Sequence, residues 1–379
     1  MTTTSRPILI ILGAGCSVGS GYPIAAKMFE GLAHFGEGLG DDAKRLRALV
    51  EKTLALVNQL RTNGESVETL DTLAKLLHEG KAGGDTMQER NHNVTDAKLA
   101  VSAYFLSLER VAIQKSIPGY RSLMDRVFGT NSRWYTKAIQ DSSYCVLTFN
   151  YDRLFELAFR QRFSDFDGTV ALHSPAALNS GLRLVTPHQA EIEPDKFCFL
   201  KLHGSIELYG FEEYGRPELI HGIPDPAHPQ PIADQEFFVP NEPGYGIHAG
   251  KGKPALIVFP NEKQHLEQYP GNLLEFREYL PAIWEAAHNA AHRAEEIQII
   301  GNSCPAPDAE ALRSLFAAAT KCRRYVIENP HPEDVHERLK RLLPPTFTGE
   351  VICKSQRFGA ISDKTNCQCD PNKMNHVNP

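Results

Sequence analysis

No apolar run in the chain approaches the length of a membrane span; Ile8–Leu12 is only strand-sized, where a spanning helix needs about 20 residues. Basic charge is not in excess either. Lys and Arg number 40 against 46 Asp and Glu, a net charge of −6, which offers no footprint for duplex nucleic acid. The first residues, Met1 to Arg6, are short and polar, and no secretory signal is expected in them. None of the eight cysteines forms a C-x-x-C pair, which argues against a zinc ribbon, and no metal is expected. Cys145 and Cys198 sit in apolar runs, where a free thiol is an ordinary small core residue. Cys367 and Cys369 read as surface thiols in a polar tail. This usage fits a reducing, cytoplasmic setting. A length of 379 residues with 42% hydrophobic and 23% charged residues is that of a soluble globular protein, long for one domain and short for three.

What is present is organised around Pro7 to Pro23. Ile8–Leu12 reads as a strand buried on both faces, of the parallel-sheet kind. It stops at Gly13-Ala14-Gly15, and Ala25, Met28, Phe29 and Leu32 follow at helical spacing. Strand, glycine turn and helix is the layout that cradles a nucleotide diphosphate, with free N–H groups at the helix start facing the anion. The strict G-x-G-x-x-G pattern would need a third glycine where Val18 stands. A tight glycine turn without a ligand has the same local appearance.

Asp41 to Ile139 then reads as nearly all helical. The expected helices are Asp41–Leu60, a second running to Gly80 with Ser66 as N-cap, Asp96–Lys115, Tyr120–Phe128 and Arg133–Ile139. Lys81 to Val94 reads as a loop. This is more than one crossover helix needs and implies a helical insertion at about 41–140. Strand-like runs resume at Tyr144–Phe149, Phe197–Leu202, Ala255–Phe259, Glu296–Ile300 and Tyr325–Ile327. Helices at Leu273–Leu280, Pro281–Ala294, Asp308–Thr320 and Val335–Leu343 intervene. The expected fold is α/β: a Rossmann-like, doubly wound, mostly parallel sheet over residues 1–345. Residues 346–379 would form a C-terminal edge segment and a disordered tail. Tyr209 to Lys253 shows no period and reads as an irregular excursion.

Polar motifs follow five of these strands: Gly13-Ala14-Gly15, Asn150-Tyr151-Asp152, His203-Gly204, Gly301-Asn302-Ser303 and Glu328-Asn329. In open α/β sheets ligands bind outside the carboxyl ends of the strands. Singly, each motif has a turn-chemistry explanation; together they point to a dinucleotide site.

These motifs resemble those of sirtuin-like proteins. They read Gly13-Ala14-Gly15-x-Ser17 with Gly21-Tyr22-Pro23, Thr148 to Asp152, Lys201 to Ser205, Gly301 to Ser303 and Glu328 to Pro330. The resemblance runs over roughly residues 7 to 345 and is nearest a bacterial branch associated with phage defence. It implies that NAD+ is the substrate, with Gly13, Ala14, Gly15, Ser17 and Pro23 around the pyrophosphate and Gly301 and Ser303 along the dinucleotide. Asn329 would take the adenosine ribose. Asn150 would orient a water beside the nicotinamide ribose, His203 would be the general base, and Asp152 the nicotinamide-side acid.

Two departures shape the expected reaction. Protein-deacylating sirtuins carry a four-cysteine zinc module after the catalytic histidine, whereas Ser205 to Gly252 contains no cysteine. The family's Asp-Phe-Arg is replaced by Ile24-Ala25-Ala26. Both favour water as acceptor and hydrolysis of NAD+ to ADP-ribose and nicotinamide, over deacylation or ADP-ribosyl transfer. A non-catalytic nucleotide-binding subunit is the alternative from another class. An unrestrained NADase would kill its host, so the resemblance implies a trigger in oligomerisation, as a homo-oligomer, or in a partner such as a HerA-type ATPase encoded nearby.

Overall fold

Strand β1 (Ile8–Leu12) is flanked on both sides by parallel neighbours, and its continuous apolar run follows from that position. The computed structural model describes residues 7–114, 117–129, 144–155, 157–158, 198–210, 217–219, 255–257 and 274–359. After β1 come a one-turn helix α1 (Gly15–Val18) and helices α2 (Met28–Glu37), α3 (Lys44–Thr62), α4 (Leu70–His78), α5 (Met87–Gln114) and α6 (Pro118–Phe128). Strands β2 (Tyr144–Thr148), β3 (Cys198–Lys201), β4 (Gly204–Gly210), β5 (Pro217–Leu219) and β6 (Ala255–Ile257) follow. The chain continues through α7 (Leu274–Arg293), β7 (Glu296–Ile300), α8 (Ala309–Ala318), β8 (Arg324–Asn329), α9 (Pro332–Leu342) and β9 (Glu350–Ser355).

The main sheet has six strands, all parallel, in the order β3-β2-β1-β7-β8-β9. Winding runs outward from β1 in one direction and from β7 in the other, which is the Rossmann-like order with its switch point between β1 and β7. Period-two alternation divides β1 between two cores. Ile10 and Leu12 join the cluster built with α2 to α6, whereas Leu9 and Ile11 join the cluster built with α7, α8 and α9. Each buried Leu or Ile stabilises such a core by about 1.5–3 kcal/mol.

Several expected boundaries differ from the observed ones. The helix after the glycine turn is a single turn, and the long helix begins only at Met28. The helical pattern expected from Ala25 opens as a 3₁₀ turn, Ala25–Lys27, and Gly19 to Ile24 form a loop pinned where the Tyr22 hydroxyl donates to Phe105 O on α5 (3.2 Å). The N-cap of α4 is Thr69, whose side chain accepts from Thr72 N, not Ser66. Residues 87–94 belong to α5, because Thr86 and Glu89 form a reciprocal capping box at its start. Pro281 lies inside the continuous α7 instead of dividing two helices.

The run at 255–257 is not part of the parallel sheet. It pairs antiparallel with β4, and β4 pairs antiparallel with β5, giving a second, three-stranded sheet where part of the irregular excursion was expected. The expected helix at 133–139 and the tail at 361–379 lie outside the described residues. Among the described residues, no helix is long and apolar enough to cross a membrane.

Candidate active site

The β1 and β7 turns meet backbone to backbone at the switch point. Gly13 N donates to Ile300 O (3.1 Å), Gly15 N to Gly301 O (2.9 Å) and Gly301 N to Glu328 O (3.0 Å). A Cβ at Gly13 would lie 2.5 Å from Asn302 Cα, and one at Gly15 would lie 2.7 Å from Gly301 O. Gly301 has φ +59 and leaves no room beside Cys16 N. These glycines are therefore required by the contact between two loops. Cys16 N and Ser17 N donate to Gly13 O and Ala14 O. The N–H groups of Gly13, Gly15, Cys16 and Ser17 are thus engaged within the protein, contrary to the expectation of free amides facing an anion.

The side chains of this turn point to β2. Asn150, just past β2, donates from Nδ2 to Gly13 O (3.0 Å) and to Ser17 Oγ (3.2 Å), while its own N–H donates to Thr148 Oγ1. Both amide hydrogens are used, so the carboxamide is held in one orientation and Oδ1 is its remaining acceptor. Ser17 donates its hydroxyl hydrogen to Asp152 Oδ2 (2.7 Å). With that hydrogen committed, the 3.2 Å contact to Tyr120 Oη is one in which Tyr120 donates. Tyr120, Ser17, Asn150 and Asp152 form one buried network.

Both carboxylate oxygens of Asp152 are engaged within the protein. Its Oδ1 accepts from Leu154 N (3.0 Å), its Oδ2 is taken by Ser17, and Lys201 Nζ reaches its backbone carbonyl. Burial raises its carboxyl above the ordinary value, partly offset by the Lys201 charge and these hydrogen bonds. Burial, reinforced by Asp152, also pushes the Tyr120 phenol well up, so it remains a neutral donor. Burial raises the Cys16 thiol likewise, and its Sγ donates to Ile300 O.

His203 occupies the connection between the two sheets. Leu202 N donates to Thr148 O (2.9 Å), after which Gly204 at φ +79 turns the chain into β4, and Ile206 N ties that strand to Tyr151 O (3.1 Å). The imidazole packs edge-on to Phe149 (5.0 Å between ring centroids) and lies 6.2 Å from the Tyr151 ring. Its Nε2 is 3.5 Å from Asp308 Oδ1. Asp308 precedes α8 at the N-cap position, yet its side chain makes no capping bond there.

Of the expected site residues, Gly13, Gly15, Ser17, Asn150, Asp152 and Gly301 come together in one contiguous cluster. His203 stands at the neighbouring strand end. Ala14 is exposed and Pro23 half-buried in the same loop region. Ser303 is exposed and its carbonyl accepts from Arg338 on α9. Asn329 uses Oδ1 to accept from His331 N, closing the turn into α9.

Three participants escaped sequence reasoning. Tyr120 had no local motif, Lys201 lay within the Lys201 to Ser205 motif without an expected role, and Asp308 read as an ordinary helix start. Asp308 stands out only in the fold, as a buried helix-start aspartate whose side chain does not cap.

Residues 144–218 match the family model described as SIR2-like domain. The match spans Asn150, Asp152 and His203 and supports a sirtuin-like relationship, and with it NAD+-related activity in general. No curated protein matches the chain.

Proposed function

We propose that the protein is an NAD+ glycohydrolase. The supporting observation is the locked Asn150 carboxamide just past the carboxyl end of β2, against the β1 turn. Gly13 O and Ser17 Oγ hold its nitrogen, which leaves Oδ1 as the group to accept from a water or a ribose hydroxyl. NAD+ would lie across the carboxyl ends of β1, β2 and β7. The C1′–N bond to nicotinamide breaks, and the electron pair leaves with the neutral base. Positive charge then develops on the ribose, where acceptor oxygens stabilise it. Water adds to C1′ and gives its proton to His203, steadied by Asp308. The products are ADP-ribose, nicotinamide and one proton. Since the turn amides are engaged, the pyrophosphate relies on other donors than those of Gly13, Gly15, Cys16 and Ser17.

The role in antiphage defence, the homo-oligomer and a HerA-type ATPase partner rest on the sequence resemblance alone. Purified protein, alone and with the product of its genomic neighbour, should convert NAD+ to ADP-ribose and nicotinamide. Asn150→Ala and His203→Ala variants with unchanged melting temperature should lose that conversion. O-acyl-ADP-ribose or a modified protein among the products would replace hydrolysis with group transfer. No consumption in either setting would remove the reading.

A further inference from the structure

We infer that Phe358, in the segment after β9, is a positioning residue for the candidate site, acting through α6. Its ring lies edge-on to Tyr120, with centroids 5.0 Å apart and planes at 75°. It fills the space where Gly119 lacks a side chain: a Cβ there would lie 2.5 Å from Phe358 Cδ1. On its other edge Tyr120 meets Phe155, 6.4 Å away and near-perpendicular, and Phe155 stacks on Phe199 of β3 at 4.1 Å. The phenol is thus clamped between the main sheet and a segment some 240 residues later in the chain. What the clamp sets is the position of one hydroxyl, the donor to Ser17 Oγ.

The chain of consequence is short. Ser17 has one hydrogen, committed to Asp152, and accepts from Asn150 and Tyr120. If Tyr120 withdraws, the hydroxyl loses one of the partners that fix its rotamer, and the Asn150 amide loses a fixed acceptor. The carboxamide then keeps Gly13 O as a fixed acceptor, but its second acceptor, Ser17 Oγ, is held in place only through Asp152. The segment 356–359 therefore connects the far edge of the sheet, where β9 ends, to the residue proposed to orient water. The inference depends on the hydrolase reading for its effect on turnover but not for its effect on the turn's structure.

The test uses the full chain with Phe358→Ala, Phe358→Tyr and Gly119→Ala. Gly119→Ala is the informative partner, because alanine favours the helix while expelling the ring, so a loss cannot be assigned to melting of α6. Phe358→Ala and Gly119→Ala should each lower kcat for NAD+ hydrolysis about tenfold, the scale of one buried hydrogen bond. KM should change little and Phe358→Tyr should restore the rate. In both impaired variants, amide hydrogen exchange across residues 13–22 should rise. Wild-type kcat and unchanged exchange at 13–22 would overturn the proposal. If the wild-type protein turns over no NAD+, the hydrolase reading fails, and exchange alone decides: a rise across 13–22 supports the clamp and its absence overturns it.

Discussion

The Nε2 of His203 lies 3.5 Å from Oδ1 of Asp308, and both side chains are buried. The two come from different halves of the sheet, one from the end of β3 and the other from the start of α8. A carboxylate in that place orients an imidazole and stabilises its charged form once a proton has been taken. Asp308→Asn should therefore lower kcat about a hundredfold, with melting temperature and KM little changed, and Asp308→Glu should recover part of the loss. A variant that keeps its kcat would take Asp308 out of the reaction and leave it a packing partner.

The glycines of the β1 turn are predicted to differ sharply from the one just beyond it. Gly15→Ala sets a methyl group against Gly301 O and Cα, backbone atoms that cannot rotate away. It should cost about 1–3 kcal/mol, the usual penalty of overpacking. Gly19→Ala meets nothing within 4 Å and should stay within about 0.5 kcal/mol of the parent. Urea unfolding of both variants compares them directly. Equal stabilities would mean that the loops can part without penalty.

The contrast also marks what was legible in the chain. Ile8–Leu12 announced a central parallel strand because both its faces are buried, and residues after β1, β2, β3, β7 and β8 gathered at one sheet edge because parallel strands share a carboxyl end. The reason for Gly13 and Gly15 was not legible: their contact lies almost 290 residues away at Gly301 and Asn302, and nothing local distinguishes packing from phosphate binding. Tyr120 was hidden for the same reason, since a tyrosine on a helical face is ordinary until the face it meets is known. The second sheet was missed because β5 is three residues, too short to display a period of two, and because the apolar run of β6 marks a strand without telling an antiparallel partner from a parallel one.

The buried pair joining α5 to the segment after β2 should be a point of failure for the fold. Arg153 donates Nε–H to Glu109 Oε2 (2.8 Å) and a second N–H to Oε1, and both residues are almost wholly buried. Removing one partner strands the other charge at a cost of about 3–5 kcal/mol, whereas replacing both with apolar groups of similar volume recovers much of that. Glu109→Leu alone should be severely destabilised, and Glu109→Leu with Arg153→Met should be closer to the parent. Thermal and denaturant melts of the two settle the order. A double variant no better than the single one would show that the pair is supported by more than its own charges.

Acid stability should turn on Glu328 at the end of β8. Burial by itself would raise its carboxyl, but Arg126 grips both oxygens at 3.1 Å and Lys354 adds a third contact at 3.3 Å, and together they hold it below its ordinary 4.5. A lowered folded value means that the stabilisation is complete above the unfolded value of 4.5 and is lost as pH falls through the lower, folded one. Asp152 acts in the opposite sense. Its folded value is raised, so the folded state is favoured when the group is protonated, and that advantage disappears as pH rises through the folded value. On acidification, protonation of Asp152 thus partly offsets the stability lost at Glu328. Urea unfolding as a function of pH should show a steep decline below 4.5 in the parent. Glu328→Gln should start lower at neutral pH, having lost its charge, and decline less steeply in that range. A Glu328→Gln profile parallel to the parent below that pH would show that acid unfolding begins elsewhere, and that the grip of Arg126 on β8 is not what holds α6 over the sheet.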